Sequence, residues 1–531
     1  GGDVLVSAGT DWTMAGDAVI TAAGNVVGEA LGGDIELGVI NGVNVALLAS
    51  NSILDANSGS LNVSATNLSL VATNGLIGGD DSGNGSPGTN VNAIEIAVST
   101  LAASSDAGIY LSEADGLTIT TVAAVTVDIE SVVRVNFNST TNDVSEDRTT
   151  ASLEDLSTDT DGPVKLVSLA GSLTIDGGSD GLGVSAGGVG DVLIEARGAG
   201  SDVIIDADVV SGTGNITLDA ANDLTVNAAV STGGSGTLYM VAGNNIAVND
   251  SATTVSGDIL VDAGLNLTQD AAIASTSGDV GLIAGGSLNQ TSNGDISTGG
   301  DVLVSAGTDW TMAGDAVITA AGNVVGEALG GDIELGVING VNVALLASNS
   351  ILDANSGSLN VSATNLSLVA TNGLIGGDDS GNGSPGTNVN AIEIAVSTLA
   401  ASSDAGIYLS EADGLTITTV AAVTVDIESV VRVNFNSTTN DVSEDRTTAS
   451  LEDLSTTTDG PVKLVSLAGS ITVNGGSGGP GVSANGSGDV LLEAAQDVIT
   501  NADVISGTGN ITLDAGNDLD VNAAVTSGGS G

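Results

Sequence analysis

The residues with the clearest capacity for chemistry lie in one loop. The stretch "GGDDSGNGSPGTN", Gly78 to Asn90, returns as Gly376 to Asn388. Paired carboxylates, asparagines and several glycines supply the oxygen ligands and tight turns that wrap calcium. The spacing matches neither the EF-hand loop nor the nonapeptide calcium-binding repeat. A solvated turn is therefore the simpler reading, and calcium near Asp80 and Asp81 is the alternative. No other cofactor is expected, and no catalytic, cofactor-binding or metal-ligating residue is assigned.

A second stretch gathers the scarce positive charge. "DIESVVRVNFNSTTNDVSEDRTTASLEDLSTDTD", Asp128 to Asp161, recurs from Asp426. It holds Arg134 and Arg148, then Arg432 and Arg446, four of the seven basic residues in the chain. Guanidinium groups offer forked donors to carboxylates. Their partners are either acids of the same excursion, the simpler reading, or acids of a neighbouring molecule. "VVRVNFN" alternates as a strand does, so the excursion reads as a projecting hairpin.

Composition excludes several function classes. There are 65 acidic residues against 7 basic, a formal charge of −58, which argues against nucleic acid as a partner. Histidine and cysteine are both absent, which removes the commonest general base, thiolate zinc sites and disulfides. Carboxylates are so widespread that two close together say nothing about glycoside hydrolysis. An enzyme is not expected, with a β-helical polysaccharide-active enzyme as a remote alternative. Hydrophobic residues reach 41%, too many for a disordered acidic tail. No apolar run approaches the length of a membrane span.

What must position these residues is repetition on two scales. Residues 1–158 recur unchanged as 299–456, so the chain divides into a first tandem repeat, 1–298, and a truncated second copy, 299–531. Excursions fall at about 128–161 and 426–459. The chain opens and stops inside a repeat, as a piece of something longer would. The shorter period is 21 or 22 residues, with coil starts at Gly214, Gly236, Gly257, Gly278 and Gly300. Alignment stacks Ile216, Leu238, Ile259, Val280 and Val302, and two residues later Leu218, Met240, Val261, Leu282 and Val304. Ala220, Ala242, Ala263, Ala284 and Ala306 fill a third column, and Leu224, Ile246, Leu267, Leu288 and Trp310 a fourth. Period-2 alternation broken by Gly, Asn and Asp predicts two or three short strands per coil. A single coil cannot bury its apolar face, and stacking coils does. The expected fold is an all-β parallel β-helix, or β-solenoid.

The motifs "GNITLDAANDLTVNAAVSTGGSG", "GDVLVSAGTDW" and "GDVLLEAAQDV" resemble the repeat regions of filamentous-haemagglutinin-like giant bacterial surface proteins. The resemblance rests on coil rhythm and composition over most of the chain. It implies an exported, right-handed β-helical rod at the cell surface or outside the cell, used in adhesion or surface structure. It carries over no catalytic residue. The expected function is thus a structural segment of a giant fibrous protein that self-associates end to end or side by side. An adhesin stalk presenting a receptor- or glycan-binding surface is the alternative.

Overall fold

The computed structural model describes residues 2–81, 86, 88–379 and 388–529. Every regular element among them is a β-strand. Two compact units are present: Gly1–Gly257 with Ser429–Val442, and Asp258–Glu428 with Ser443–Gly531. Each is a parallel β-solenoid. These packing units are a different division from the sequence repeats.

One coil shows how the sequence dictates the turn of the chain. Ile216–Ala220, Leu224–Val226 and Val230–Thr232 are its three strands, separated by corners of Asn, Asp and Gly. In the first strand Ile216 lies between Val192 and Leu238, Leu218 between Ile194 and Met240, and Ala220 between Ala196 and Ala242. All nine side chains are buried. In the second unit Ile259, Val280 and Val302 stack in the same way, as do Leu267, Leu288 and Trp310. Within each unit the expected columns are real. The alanine column ends the first strand, where the chain turns and little volume is available.

Two features inside and beside this core could not be read from hydrophobic columns. Trp310 is fully buried, and a Cβ on Gly326 would lie 2.2 Å from its ring. The indole Nε1 donates to Gln290 Oε1 at 2.8 Å, and Gln290 Nε2 donates to Gln269 Oε1 at 3.0 Å. A polar ladder therefore runs through the interior with its donors satisfied. At the corners, carboxylates reach along the axis. Asp258 accepts the N–H of Asp279 at 2.8 Å, Asp279 that of Asp301 at 2.6 Å, and Asp301 that of Asn323 at 2.6 Å. In the first unit Asp202 accepts from Asp223 and Asp223 from Asn245. Each carboxylate satisfies a corner N–H one coil away. Corner glycines answer a steric need, since a Cβ on Gly214 would sit 2.3 Å from the Gly190 carbonyl oxygen.

Each excursion is a hairpin outside the solenoid sheet. Thr126–Val135 pairs antiparallel with Thr141–Thr149, with a register shift between Ile129 and Val132. The departure is shorter than the expected 128–161. Leu156–Thr158 is already back in the solenoid, with Leu156 opposite Ala103 and Val184. Its acidic neighbours disguise a short buried strand. The second copy places Thr424–Val433 and Thr439–Thr447 in the corresponding strands.

Buried glutamates give the fold a testable pH dependence. Glu113 and Glu411 are fully buried, and burial pushes their carboxyls up to about 8 and about 7. Glu113 accepts the backbone N–H groups of Val98 and Asp115, both at 3.2 Å. A carboxyl raised in the folded state contributes stability that is present below its ordinary value and lost as pH rises through the raised one. Melting temperature should therefore fall as pH rises from 6 to 9, and Glu113→Gln with Glu411→Gln should flatten that fall. Lys165, lowered to about 8 by burial, works in the opposite sense. The glutamine variants are thus the deciding comparison, and an unchanged slope would refute the assignment.

Candidate functional site

On a strand whose first, third and fifth residues face the interior, the second faces outward and is expected to be polar. Here it is not. In the first unit the outward second positions read Tyr110, Lys165, Leu193, Thr217 and Tyr239, each in register with the next. In the second unit they read Leu260, Gly281, Leu303, Val325 and Ala344. All nine non-glycine members are buried. A flank that should be wet is covered.

The cover is the hairpin. In the first unit Val125 and Val127 pack with Val27 and Ala46, and Leu5 and Ile129 lie against them. Arg148 pairs with Glu29 on the flank at 3.1 Å and with Glu146 of its own hairpin at 2.9 Å. The second unit repeats this with Arg446, Glu327 at 3.1 Å and Glu444 at 3.4 Å. The base of the hairpin thus lies along the solenoid instead of projecting from it. Its arginine serves hairpin and flank together. Arg134, in contrast, forms no ion pair among the described residues.

The tip of the second hairpin, Ser429–Val442, is seated within the first unit. Val433 and Phe435 join a buried cluster with Ala93, Tyr110, Val167 and Leu193. The N–H groups of Val431 and Val433 donate to the hydroxyls of Thr237 and Thr217, both at 2.9 Å. Lys165 Nζ donates to the Asn434 carbonyl at 2.9 Å and to Ser437 Oγ at 3.2 Å. Arg432 pairs with Asp219 at 2.5 Å. Arg197, held by Glu195 at 2.7 Å, stacks 5.8 Å from the centre of the Phe435 ring. Burial lowers Lys165 to about 8, against the pull of Asp191 and Asp80. Burial likewise raises Asp219 to about 6, against Arg432. Seating therefore removes two charges from water and answers both with hydrogen bonds.

A separate acidic cluster lies where the chain re-enters the first solenoid. One carboxylate oxygen from each of Glu154, Asp155 and Asp180 lies within 4.8 Å of the others. Glu154 is half-buried, Asp155 buried and Asp180 exposed. Glu154 accepts the N–H of Ser179 at 2.9 Å. One buried Asp155 oxygen has no hydrogen-bond partner, and burial, then Asp180 and Glu154, push its carboxyl up to about 6. Such an all-oxygen donor set could hold a hard cation. The second copy keeps Glu452 and Asp453 but has Gly478 where Asp180 stands.

The loop singled out for calcium falls largely elsewhere. Ser82–Gly85, Pro87 and residues 380–387 lie outside the described residues. At the loop base, Asn90 Nδ2 donates to the Gly79 carbonyl and Asn92 Nδ2 to that of Asp80, both at 2.8 Å. Asn62, which heads an "NVS" sequon, is fully buried and donates to Leu37, Gly38 and Asp55. Its amide is thus inaccessible to a glycan-transferring enzyme. The seat itself escaped a reading based on interior columns. Its signal was available in the apolar outward positions, Leu193, Tyr239, Leu260, Leu303 and Val325, which break strict alternation.

Comparison with known protein families, curated proteins and solved structures finds no match.

Two outcomes are expected. Val433→Asp with Phe435→Asp should expose the seat and cost several kcal/mol. Hydrogen exchange should then accelerate in Gly108–Glu113, Val164–Ser168 and Val192–Ala196. Unchanged protection would mean that the seat contributes nothing. For the acidic cluster, millimolar-scale calcium should raise the melting temperature of the parent more than that of Asp180→Gly. Equal shifts at matched ionic strength would assign the effect to general screening.

Proposed function

We propose that this chain is a structural repeat of a fibrous protein at or outside the cell surface, related in kind to filamentous-haemagglutinin-like rods. The observation that carries this reading is the seated hairpin. A strap on one repeat covers the flank of coils roughly 200–345 residues earlier in sequence. Such a strap gives the solenoid long-range closure that coil stacking alone lacks. Nearly continuous axial pairing leaves few places for a protease or a local opening to begin. The role is mechanical and non-catalytic, and its partners are other copies of the same repeat. Among the oxygen donors, the Glu154 cluster favours calcium over softer metals, as a reinforcing ion.

Electron microscopy of the native material tests this directly. It should show rods or filaments with an axial repeat of roughly 60 Å, from coils about 4.8 Å apart. Compact soluble particles that turn over a polysaccharide would overturn the reading.

A further inference from the structure

Only seven basic residues stand against 65 acidic ones, yet two of the seven line a single cavity. It lies in the first unit, where the seated tip meets the flank, and has a volume of about 230 Å³. Arg197 comes from the flank and Arg432 from the tip, with Gly88, Glu195, Asn434 and Asn440 around them. Each arginine is tethered to a carboxylate less exposed than itself. The Arg197 and Arg432 side chains are 25% and 36% exposed, and their partners Glu195 and Asp219 are 15% and 17%. Burial raises the Asp219 carboxyl and both guanidiniums pull against it, so the two forks lie close together.

The hydrogen bonds already made define what is missing. Arg197 Nε and Nη2 donate to the two oxygens of Glu195, both at 2.7 Å, and Nη1 donates to the Gly88 carbonyl. Arg432 Nη2 donates to Asp219 at 2.5 Å and makes no other hydrogen bond among the described residues. A guanidinium carries five N–H donors, so both arginines keep donors in reserve. Asn434 Nδ2 donates to Asn440 Oδ1 at 2.7 Å, which occupies the Asn440 acceptor and leaves its own Nδ2 as a further donor. The unused capacity is mostly donors, and it is cationic.

We infer that this cavity binds a small hydroxylated carboxylate, a sugar acid such as galacturonate, with its carboxylate held between the Arg197 and Arg432 forks. The inference goes beyond the mechanical role and needs only the seat of the tip. A planar carboxylate matches guanidinium forks. Two arginines and two carboxylates leave the cavity without net charge inside a strongly negative molecule, so phosphate, with more charge, is repelled more than a single carboxylate. An amino acid would bring an ammonium group for which no free carboxylate waits. The volume falls short of the roughly 300–1,000 Å³ typical of drug-sized ligands, so it admits one sugar-acid unit. Asn440 Nδ2 and Asn434 Oδ1 offer a donor and an acceptor to its hydroxyls. The second repeat has Ala495 in place of Arg197, so its flank cannot build the same pair.

Calorimetric titration of the full chain with galacturonate, at low and matched ionic strength, tests this. Saturable binding of one ligand per chain is expected, with galactose silent and inorganic phosphate weaker. Arg197→Ala should weaken binding by about tenfold or more. Its circular dichroism should be unchanged, because Ala495 occupies the same corner, its N–H on the Ser466 carbonyl at 3.0 Å as that of Arg197 is on Ser168 at 2.9 Å. Arg197→Lys keeps the charge and loses the fork, and should also bind more weakly than the parent. Trigalacturonate that binds no tighter than the monomer would mark a free sugar acid as the ligand. Several-fold tighter binding would mark the end unit of a polysaccharide. Absence of saturable binding, equal affinity in either arginine variant, or phosphate binding more tightly than galacturonate would overturn the site. Microscopy decides the fibrous reading separately, so failure here leaves that reading untouched.

Discussion

The constraint on which everything else depends is the in-register backbone ladder between successive coils. It places each residue over its equivalent one coil away, 24 positions from Ile194 to Leu218 and 22 from Leu218 to Met240, so a side chain is surrounded mainly by versions of itself. Leu218 touches Ile194 and Met240 because the ladder allows no other arrangement. The same constraint multiplies errors, since a charge placed in one layer confronts two neighbours at once. It also multiplies solutions. A carboxylate that suits one corner suits the next, and the chain from Asp258 through Asp279 and Asp301 to Asn323 is the outcome.

This changes the meaning of the acidic composition. A charge of −58 reads at first as a repulsive coat that keeps rods apart. A substantial part of it is structural, because corner aspartates accept backbone N–H groups that the sheet cannot reach. Hydrogen bonds to a charged acceptor are among the stronger ones. Asparagine does the same work without charge, since Asn215 accepts the N–H of Thr237 and Asn266 that of Ser287. Acidity here belongs to the folding of the corners as much as to the surface.

The solenoid was legible in the sequence because its determinants are local and repeated. The four columns, the corner residues and the position of the alanines all follow from alternation within one coil. The hairpin was legible as an interruption, since "VVRVNFN" alternates outside the rhythm. Its destination was not. What Phe435 touches is set by coils hundreds of residues away, and no local pattern encodes that distance. The limits of the excursion were blurred by Glu154 and Asp155, whose charge hides the return of Leu156 to the core. The acidic cluster needed Asp180 brought beside Glu154 by the solenoid turn, a proximity that spacing in sequence does not reveal. Identical residues in the two copies also carry no warning that one tip is buried and the other wet.

The seated tip also fixes an order of events. Lys165 and Asn434 are separated by 269 positions, and the hydrogen bond between them cannot form until the intervening chain exists. Coils can close on one another as soon as each is made, because their contacts are about one coil apart. The hairpin closes a much longer loop, so it belongs to the slow, late phase of folding. In a chain that emerges from its N-terminal side, the strap arrives after the coils it covers and reaches back to them. Covering the flank of coils already laid down, it works as a ratchet: each added repeat makes the one before it harder to undo.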